Sequence, residues 1–492
     1  MCFLHHSLPS SYLLVAAAAF VVTSPPVRAA DDWVRVAAEG IDSIEQRGVD
    51  DLAIHGGRVY VATRRSLPGG VSNAYLYRAR LRDDTTWEGI PLPFQEHAGS
   101  AVLASIGDRL YVGSASGEIY YLTTDDVWMP FAHPYFGEVL DIVEGPPRPG
   151  EVPAIAVACK QGDVLAVYSF TPGDGRFGFE RTDLEPRLDH AVIAYHEGAL
   201  FVGVGGESAG SRSCGLRMYE PSGSDVHVSA DCFGMPGLTW IYGAVSFRGA
   251  LYFGTGGHHD RPSLVRLRGA PSGTTHEVVY REAEGYSIDP STRVSALAVA
   301  AGRLFIAGGS ASGPSPVKKS VDGRTWVESG FLSSLGNQTI ARMAGRESHL
   351  YAGVVNTSHG FEIWRRTPSL SEVLSFYDED WAEIRDESIA VDLCADVPCH
   401  RLFVDAVSAR VEARAMAFET CAPGSYPLER DLAIRQMKDA KRDLYFARQA
   451  IQQASQSQSA AQRSALLKSA RGHVATMLGR FRTLQCALTD VR

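Results

Sequence analysis

A set of residues with ligand-binding or acid–base chemistry stands at or just before the start of small, apolar segments that recur along this sequence. The set is Asp50, Asp51, Glu138, Asp141, Asp189, His190, Trp240, Tyr242, Arg293 and Arg342. Arginine side chains hold carboxylates through paired hydrogen bonds, and aromatic side chains stack on rings, so this mixture suits a sugar or an organic anion. The ligand-binding residues that we predict are Asp189, His190, Trp240, Tyr242, Arg293 and Arg342. The competing interpretation is that such polar residues only line the mouth of a channel.

A second cluster, His258-His259-Asp260, has side chains of the kind that bind metals. Adjacent side chains in an extended segment point in opposite directions, so at most one of the two histidines could be a ligand. A solvated loop is therefore the preferred interpretation, and we predict no cofactor. The sequence also lacks a Walker loop, the HExxH zinc motif and an EF-hand pattern.

The elements that must position these residues form a repeat. An aromatic or apolar residue in the second strand pattern of each unit recurs every 44 to 53 residues, at Tyr60, Tyr111, Ile155, Phe201, Tyr252, Phe305 and Tyr351. A period in this range, with strand alternation and many glycines, predicts propeller blades of four short strands. We predict an all-β propeller of seven blades. Six or eight blades stay open, because the third unit contains an irregular, proline-rich segment at 144–153.

The first strand of each unit is predicted to be small and apolar, as in Ala101–Ile106, because these strands converge on the axis. The fourth strand often opens with an acidic turn and a tryptophan, at Trp87, Trp128 and Trp326. The same pattern of acidic residues followed by tryptophan occurs at residues 31–36. We therefore predict that an N-terminal strand completes the last blade and removes exposed sheet edges. The competing candidate for that fourth strand is Trp381–Ile389.

From Arg401 the pattern becomes helical. Apolar residues at spacings near three, four and seven form two stripes: Leu428, Leu432, Leu444, Ala447 and Ile451, then Leu467, Val474, Leu478, Phe481 and Leu484. The polar stretch between the stripes predicts an antiparallel helical hairpin. The predicted divisions are a signal peptide at 1–29, the propeller at 30–368, an acidic linker at 369–400 and a helical domain at 401–492.

Three disulfides are predicted from the cysteine positions. Cys214 and Cys232 flank a turn signal symmetrically, as facing residues of a hairpin would. The helical hairpin brings Cys486 back beside Cys421, and the remaining pair is then Cys394 with Cys399, both in the acidic linker. Cys159, in an apolar strand pattern, is predicted to be a buried thiol.

Export is predicted from the N-terminal residues. Tyr12–Thr23 is an apolar run of signal-peptide length, and the small residues Ala29 and Ala30 follow it at a suitable cleavage position. A retained membrane anchor is the alternative, since no lysine or arginine precedes the run. No later run is apolar enough to span a membrane. The formal net charge is −9, which argues against nucleic acid as the main partner.

The strand patterns resemble those of known propeller families over residues 31–367. The double glycines at 205–206, 256–257 and 308–309, followed by Tyr219 or Trp326 on outer strands, resemble degenerate Kelch repeats. Lys319–Trp326 is similar to the Asp-box turn of sialidase-type propellers, with one residue fewer between Asp322 and Trp326. Both resemblances imply fold and neither implies catalysis. The C-terminal helical region resembles no family.

The predicted function is that of an exported propeller that binds a protein or a carbohydrate at a channel mouth, or acts as a scaffold. The oligomeric state is left open. The alternative is a sialidase-like, carbohydrate-active hydrolase. It would hold an anionic group with Arg293 and Arg342, place Tyr242 or His190 at the reacting centre, and use Asp50 or Glu138 as acid or base. A sialidase-like site needs three converging arginines, and the sequence offers two candidates.

Overall fold

A computed structural model describes residues 33–487, with gaps at 39, 42–44, 67–71, 82, 95–98, 133–136, 146–153, 163, 172–177, 184–189, 209–210, 220–224, 230–231, 236–237, 258–260, 270–273, 282–292, 311–312, 315, 331, 333–336, 347–348, 357–359, 371, 375–383, 386–396 and 422–426. The predicted signal peptide lies outside the described residues. So do Asp189, His258, His259, Asp260 and Cys394.

Four antiparallel sheets of four strands each follow one another along the chain, and each is a meander in sequence order. The first contains β2 (Gln46–His55), β3 (Arg58–Ser66), β4 (Ser72–Arg80) and β5 (Asp83–Ile90). The second contains β6 (Ala101–Ile106), β7 (Arg109–Ser114), β8 (Ile119–Leu122) and β9 (Trp128–Ala132). The third contains β10 (Glu138–Glu144), β11 (Ile155–Gln161), β12 (Val164–Thr171) and β13 (Gly178–Asp183). The fourth contains β14 (His190–His196), β15 (Ala199–Ser208), β16 (Ser211–Tyr219) and β17 (Asp225–Ser229).

The remaining strands form one 13-stranded sheet made of three antiparallel groups. The first group is β18 (Trp240–Phe247), β19 (Ala250–Gly256), β20 (Ser263–Arg268) and β21 (Thr275–Arg281). The second is β22 (Arg293–Ala300), β23 (Arg303–Ser310), β24 (Gly313–Pro314), β25 (Val317–Ser320) and β26 (Val327–Gly330). The third is β27 (Asn337–Arg346), β28 (His349–Asn356), β29 (Glu362–Arg366) and β1 (Trp33–Ala37). Single residue pairs, Gly256 with Arg293 and Gly309 with Thr339, join the groups.

The inner strands form a ring. β2 contacts β6, and the contacts continue through β10, β14, β18, β22 and β27, which in turn contacts β2. Small or branched apolar residues fill the space between adjacent sheets, for example Ala53 and Leu103 between the first and second. This order of meandering sheets around an axis is that of a β-propeller.

The N-terminal strand completes the last group of the ring, as predicted. β1 is antiparallel to β29, with Trp33 opposite Arg366 and Val34 opposite Arg365. The competing candidate, Trp381–Ile389, lies largely outside the described residues.

Tryptophans on or beside fourth strands tie neighbouring sheets together near the rim. The indole Nε1 of Trp87 donates a hydrogen bond to the carbonyl of Val36, at 3.2 Å. Trp128 donates to the carbonyl of Pro91 at 3.0 Å, and Trp326 to that of Val279 at 3.1 Å. In each pair the acceptor belongs to the fourth strand of the preceding sheet or directly follows it, and for Trp326 that strand belongs to the preceding group of the 13-stranded sheet. The recurring tryptophan is therefore a link between sheets.

The turn before Trp326 is organised by Asp322. Its Oδ1 accepts hydrogen bonds from the backbone N–H groups of Arg324 and Thr325 and from the Ser320 hydroxyl. These two backbone bonds hold the pKa of Asp322 well below its usual range. The carboxylate thus closes a tight turn between β25 and β26 and has a structural role.

Three helices follow the ring: α1 (Val397–Thr420), α2 (Pro427–Gln456) and α3 (Ala460–Ala487). α2 and α3 form the predicted antiparallel hairpin, and α1 packs mainly on α2. α1 begins at Val397, four residues before the predicted start of the helical region. Both predicted stripes face the shared core except Leu428, which is exposed in the first turn of α2.

The segment between the ring and the helices joins both. Leu370, Val373 and Leu374 are buried in the same core as the helices. Between them, Glu372 accepts hydrogen bonds from Arg366 at 2.5 Å and Lys319 at 2.9 Å. A third cation, Arg303, lies 2.9 Å from the same carboxylate. Part of the predicted acidic linker is therefore a buried junction.

The predicted disulfide between Cys214 and Cys232 is confirmed, with Cα atoms 5.1 Å apart. The predicted pair of Cys421 with Cys486 is wrong, because Cys421 is a buried free thiol that donates to the carbonyl of Phe418. The pair of Cys394 with Cys399 stays a prediction. Cys159 is a buried free thiol, as predicted.

Candidate functional site

The first halves of the inner strands surround a cavity of about 160 Å³ on the axis. Its polar lining comes from four sheets: Asp51 on β2, Asp141 on β10, His190 on β14, Tyr242 on β18 and Arg342 on β27. Small and apolar residues such as Ala296 fill the remaining wall. The cavity lies at the end of the ring where the sequence predicted a ligand site.

Asp51 and Asp141 occupy equivalent positions and make the same contacts. Each sits at a register shift between the first and second strands of its sheet. Asp51 accepts from the backbone N–H of Leu52 and from that of Leu103 on the next inner strand, both at 2.8 Å. Asp141 accepts from Ile142 at 2.9 Å and from Ile193 on the next inner strand at 2.8 Å. Both carboxylates therefore fasten one sheet to the following sheet.

Burial shapes the ionisation of these two acids. It raises the pKa of Asp51, although Arg342 and the two backbone bonds oppose the change. It raises the pKa of Asp141 to about 7, and the nearby charge of Asp51 adds to that effect. Near neutral pH, Asp141 is therefore partly protonated.

Arg342 is the cation at the centre of this group. A register shift in β27 precedes it, and its Nε lies 3.7 Å from Oδ1 of Asp51. Its charge favours the ionised forms of Asp50, Asp51 and Asp141 and disfavours protonation of His190. One guanidinium thus influences four titratable side chains.

Asp50 is a buried carboxylate beside Arg64. Its Oδ1 lies 3.5 Å from Nε of Arg64, and the backbone N–H of Ala101 also favours its ionised form. Burial raises the pKa of Asp50 to about 6, against the opposing charges of Arg64 and Arg342.

An aromatic wall faces the carboxylates. The ring of Tyr242 lies 5.7 Å from that of His190 and 6.1 Å from that of Trp240, measured between centroids. A residue larger than glycine at 205 would displace this wall, since a Cβ there would lie 2.7 Å from Cα of Trp240. Burial, with the charges of Arg342 and Arg293, lowers the pKa of His190 to about 4, so the imidazole is neutral at pH 7. Its Nε2 is buried, with no partner among the described residues.

Arg293 completes the cluster. Its guanidinium carbon lies 5.1 Å from the centroid of Tyr242, a cation–π distance. Its Nε is out of solvent and has no hydrogen-bond partner, and no described acid forms an ion pair with it. Arg293 therefore differs from Arg342 and Arg64, which both lie beside carboxylates.

The structure brings together most of the predicted residues: Asp50, His190, Trp240, Tyr242, Arg293 and Arg342. Glu138 is half-exposed at the start of β10 and has no described contact with this cluster. The sequence indicated Asp51 and Asp141 as polar positions but did not reveal that they join sheets. Arg64 was not predicted from the sequence. The one indication was that Arg64 and Arg65 stand in a second strand at positions where the second strands of other units carry glycine.

Neither a metal site nor a membrane-spanning helix is found in the part of the chain that the structure describes. No group of three histidine, cysteine, aspartate or glutamate side chains is arranged to hold a metal ion among these residues. Within the same residues, no helix combines the length and apolarity needed to cross a membrane.

No protein-family profile and no curated protein sequence matches this chain. Among solved structures, a Trypanosoma rangeli sialidase in complex with the inhibitor DANA aligns with a TM-score of 0.39 and 11% identity, over 69% of this chain and 58% of the sialidase. The β-propeller domain of the Trilobed protease from Pyrococcus furiosus aligns with a TM-score of 0.37 and 8% identity, over 65% of this chain and 95% of that domain. A soluble aldose sugar dehydrogenase from Escherichia coli aligns with a TM-score of 0.38 and 16% identity, over 55% of this chain and 96% of the enzyme. The propeller assignment itself rests on the strand order and the ring of inner strands described above.

Proposed function

We propose that this chain is an exported, seven-bladed β-propeller that acts as a binding module for a ligand carrying a carboxylate group. The seven blades are the four separate sheets and the three groups of the 13-stranded sheet. Export is supported by the predicted signal peptide and by the disulfide of Cys214 with Cys232, since disulfides persist in oxidising compartments. Asp322 and its turn support an Asp-box-like relationship for the sixth blade.

The binding proposal rests on the surroundings of the Arg293 guanidinium. Its guanidinium lies over Tyr242 and beside neutral His190, and it has no carboxylate partner among the described residues. A carboxylate from a ligand would supply that partner through a charge-assisted hydrogen bond. Tyr242 and Trp240 would then contact the ring or chain that carries the carboxylate.

The size of the cavity favours binding of a terminal group over enclosure of a whole ligand. Small-molecule sites usually have volumes of roughly 300–1,000 Å³, whereas this cavity has about 160 Å³. The bulk of the ligand would therefore remain outside the mouth. Both an acidic sugar and an acidic peptide segment meet this requirement.

Calorimetric titration separates these two ligand classes. The probes are glucuronic acid with glucose as its neutral match, and a hexaglutamate peptide with hexaglutamine as its match. We expect one acidic probe to bind and its neutral match to fail. Arg293→Gln should weaken that binding at least about tenfold, because it removes a charge-assisted contact. Arg268→Gln, at an exposed arginine on β20, is the matched control and should leave binding unchanged. Equal binding by the neutral match, or by Arg293→Gln, would refute the proposal.

Asp50 supports a second candidate function, the sialidase-like hydrolase. A buried carboxyl with a pKa of about 6 has the properties of a general acid. Arg342, on the neighbouring strand, could hold an anionic substituent.

Turnover of fluorogenic α-neuraminide and β-glucuronide substrates tests this function. A general acid must be protonated to act, so the rate should fall as the pH rises through about 6. Asp50→Asn should abolish the turnover. Absence of turnover between about pH 4 and pH 7, around the pKa of Asp50, removes the hydrolase candidate and leaves the binding proposal intact.

A further inference from the structure

The axis of the ring opens at its other end into a larger cavity of about 560 Å³. This is the end where each inner strand turns into the second strand, away from the mouth that contains Arg293. The volume falls within the range of roughly 300–1,000 Å³ that small-molecule sites occupy.

Apolar side chains form part of the wall of this cavity, and polar atoms expose the larger share of its surface. It is lined by the second halves of the inner strands, with Leu52, Leu103, Val245, Leu297, Val299 and Met343 among the lining residues. Leu297, Val299 and Val245 are partly exposed, and the cavity is the space they face. These partly exposed apolar side chains can bind an aliphatic group by removing apolar surface from water.

The rim carries one acid and one base. Glu144 ends β10 and Arg346 ends β27, and both line the cavity. Around the ring, β2 and β6 separate these two strands on one side, and β14, β18 and β22 separate them on the other. Glu144 and Arg346 therefore stand on roughly opposite sides of the opening. Neither forms an ion pair with a described residue.

The environment of two histidines at this end disfavours their charged forms. Nδ1 of His55 is hydrogen-bonded to Oγ of Ser105 at 3.0 Å, and burial together with Arg346 lowers the pKa of His55. His196 pairs with Ser246 in the same way at 3.2 Å, and burial lowers its pKa too. Arg346 is thus the cation that lines this cavity.

We infer that this cavity is a second binding site, which takes a zwitterionic ligand with an aliphatic body, such as a short peptide of aliphatic residues. Arg346 pairs with the ligand's carboxylate through its planar fork. Glu144 pairs with the ligand's ammonium group across the opening. The aliphatic side chains enter the cavity between Leu297 and Met343 and contact the apolar side chains there. This site is distinct from the proposed carboxylate site, and either could exist without the other.

Calorimetric titration of the full chain with the dipeptide Leu-Leu tests this inference. We expect saturable binding with a Kd below about 1 mM. Acetylating the amine or amidating the carboxyl of the dipeptide should each weaken binding about five- to tenfold, since each removes one ionic contact. Arg346→Gln should abolish the discrimination against the amidated dipeptide. Glu144→Gln should abolish the discrimination against the acetylated one.

Two further variants locate the binding site. Val299→Phe fills the shaft and should eliminate binding without changing the circular dichroism spectrum of the protein. Arg268→Gln, at an exposed arginine on β20, should leave Leu-Leu binding unchanged. The inference is overturned if Leu-Leu gives no heat of binding at about 10 mM. It is also overturned if both blocked dipeptides bind as well as Leu-Leu, or if a folded Val299→Phe protein still binds.

Discussion

Replacing Glu372 with glutamine should lower the free energy of unfolding by about 3 kcal/mol. The carboxylate is buried with only 8% of its side chain exposed, and Arg303, Lys319 and Arg366 surround it. Removing one partner of a buried ionic group leaves the other charges uncompensated, and this costs about 3–5 kcal/mol. Ser369 adds a local contribution, because its hydroxyl and the carboxylate of Glu372 cap each other's backbone N–H groups.

The ionisation of Glu372 leads to a similar magnitude. Burial alone would raise its pKa, but Arg366 and Lys319 hold it at about 2, compared with 4.5 for a free glutamate. A depression of this size corresponds to about 3 kcal/mol of stability that is present only while the carboxylate is ionised. The folded pKa lies below the unfolded value. The contribution is therefore complete above about pH 5 and is lost as the pH falls through 4.5 towards 2.

Urea unfolding of wild type and Glu372→Gln, followed by circular dichroism and tryptophan fluorescence from pH 7 to about pH 3, measures this contribution. The matched control is Glu328→Gln, since Glu328 is half-exposed and lies 3.9 Å from Lys318. The control should change stability by less than about 1 kcal/mol. Our reasoning fails if Glu372→Gln behaves like the control. It also fails if the difference between wild type and Glu372→Gln does not shrink as the pH falls.

Three further predictions concern the rest of the chain. Replacing Cys214 and Cys232 by serine should lower the free energy of unfolding by about 3 kcal/mol, because the disulfide closes a loop of 18 residues. Dithiothreitol should lower the melting temperature of wild type by the same amount and leave that of the variant unchanged. Gly205→Ala should destabilise the protein by about 1–3 kcal/mol, because the added Cβ would overlap the next inner strand. Gly472→Ala, in an open position on α3, should instead stabilise it by up to about 1 kcal/mol; urea titrations measure both changes. Burial raises the folded pKa of Asp141 from 3.8 to about 7, so the contribution of this group to stability should decline as the pH rises through that interval. Urea titrations should show that the stability of wild type relative to Asp141→Asn falls over this range, and a difference that does not change with pH would contradict the assigned pKa.

The ring could be predicted from the sequence because every blade needs similar residue types at equivalent positions. Tyr60, Tyr111, Tyr252, Phe305 and Tyr351 all lie on second strands and are buried, as their recurrence indicated. The tryptophan phrase was informative for the same reason, since Trp87, Trp128 and Trp326 repeat one contact between sheets. A contact that recurs between blades requires the same residue type in each repeat, and such a recurrence is visible in the sequence.

The site was less predictable because its contacts do not repeat. Asp51 and Asp141 bond to backbone groups of the next sheet, and neither partner has a side-chain signature in the sequence. The spacing of Cys421 and Cys486 showed that two helix ends were near each other along the hairpin. It did not show that the thiol of Cys421 turns inward to Phe418. Leu428 fitted the apolar period but lies in the first turn of α2, ahead of the packed part of that helix.

The pairing of β1 with β29 has a consequence for how the protein is made. Trp33 lies opposite Arg366, so the two strands that complete the last sheet are separated by almost the whole ring. A ribosome adding about 5–20 residues per second needs roughly 20–70 s to extend the chain from one strand to the other. During that interval β1 has no native partner, and the ring has no closed form to adopt.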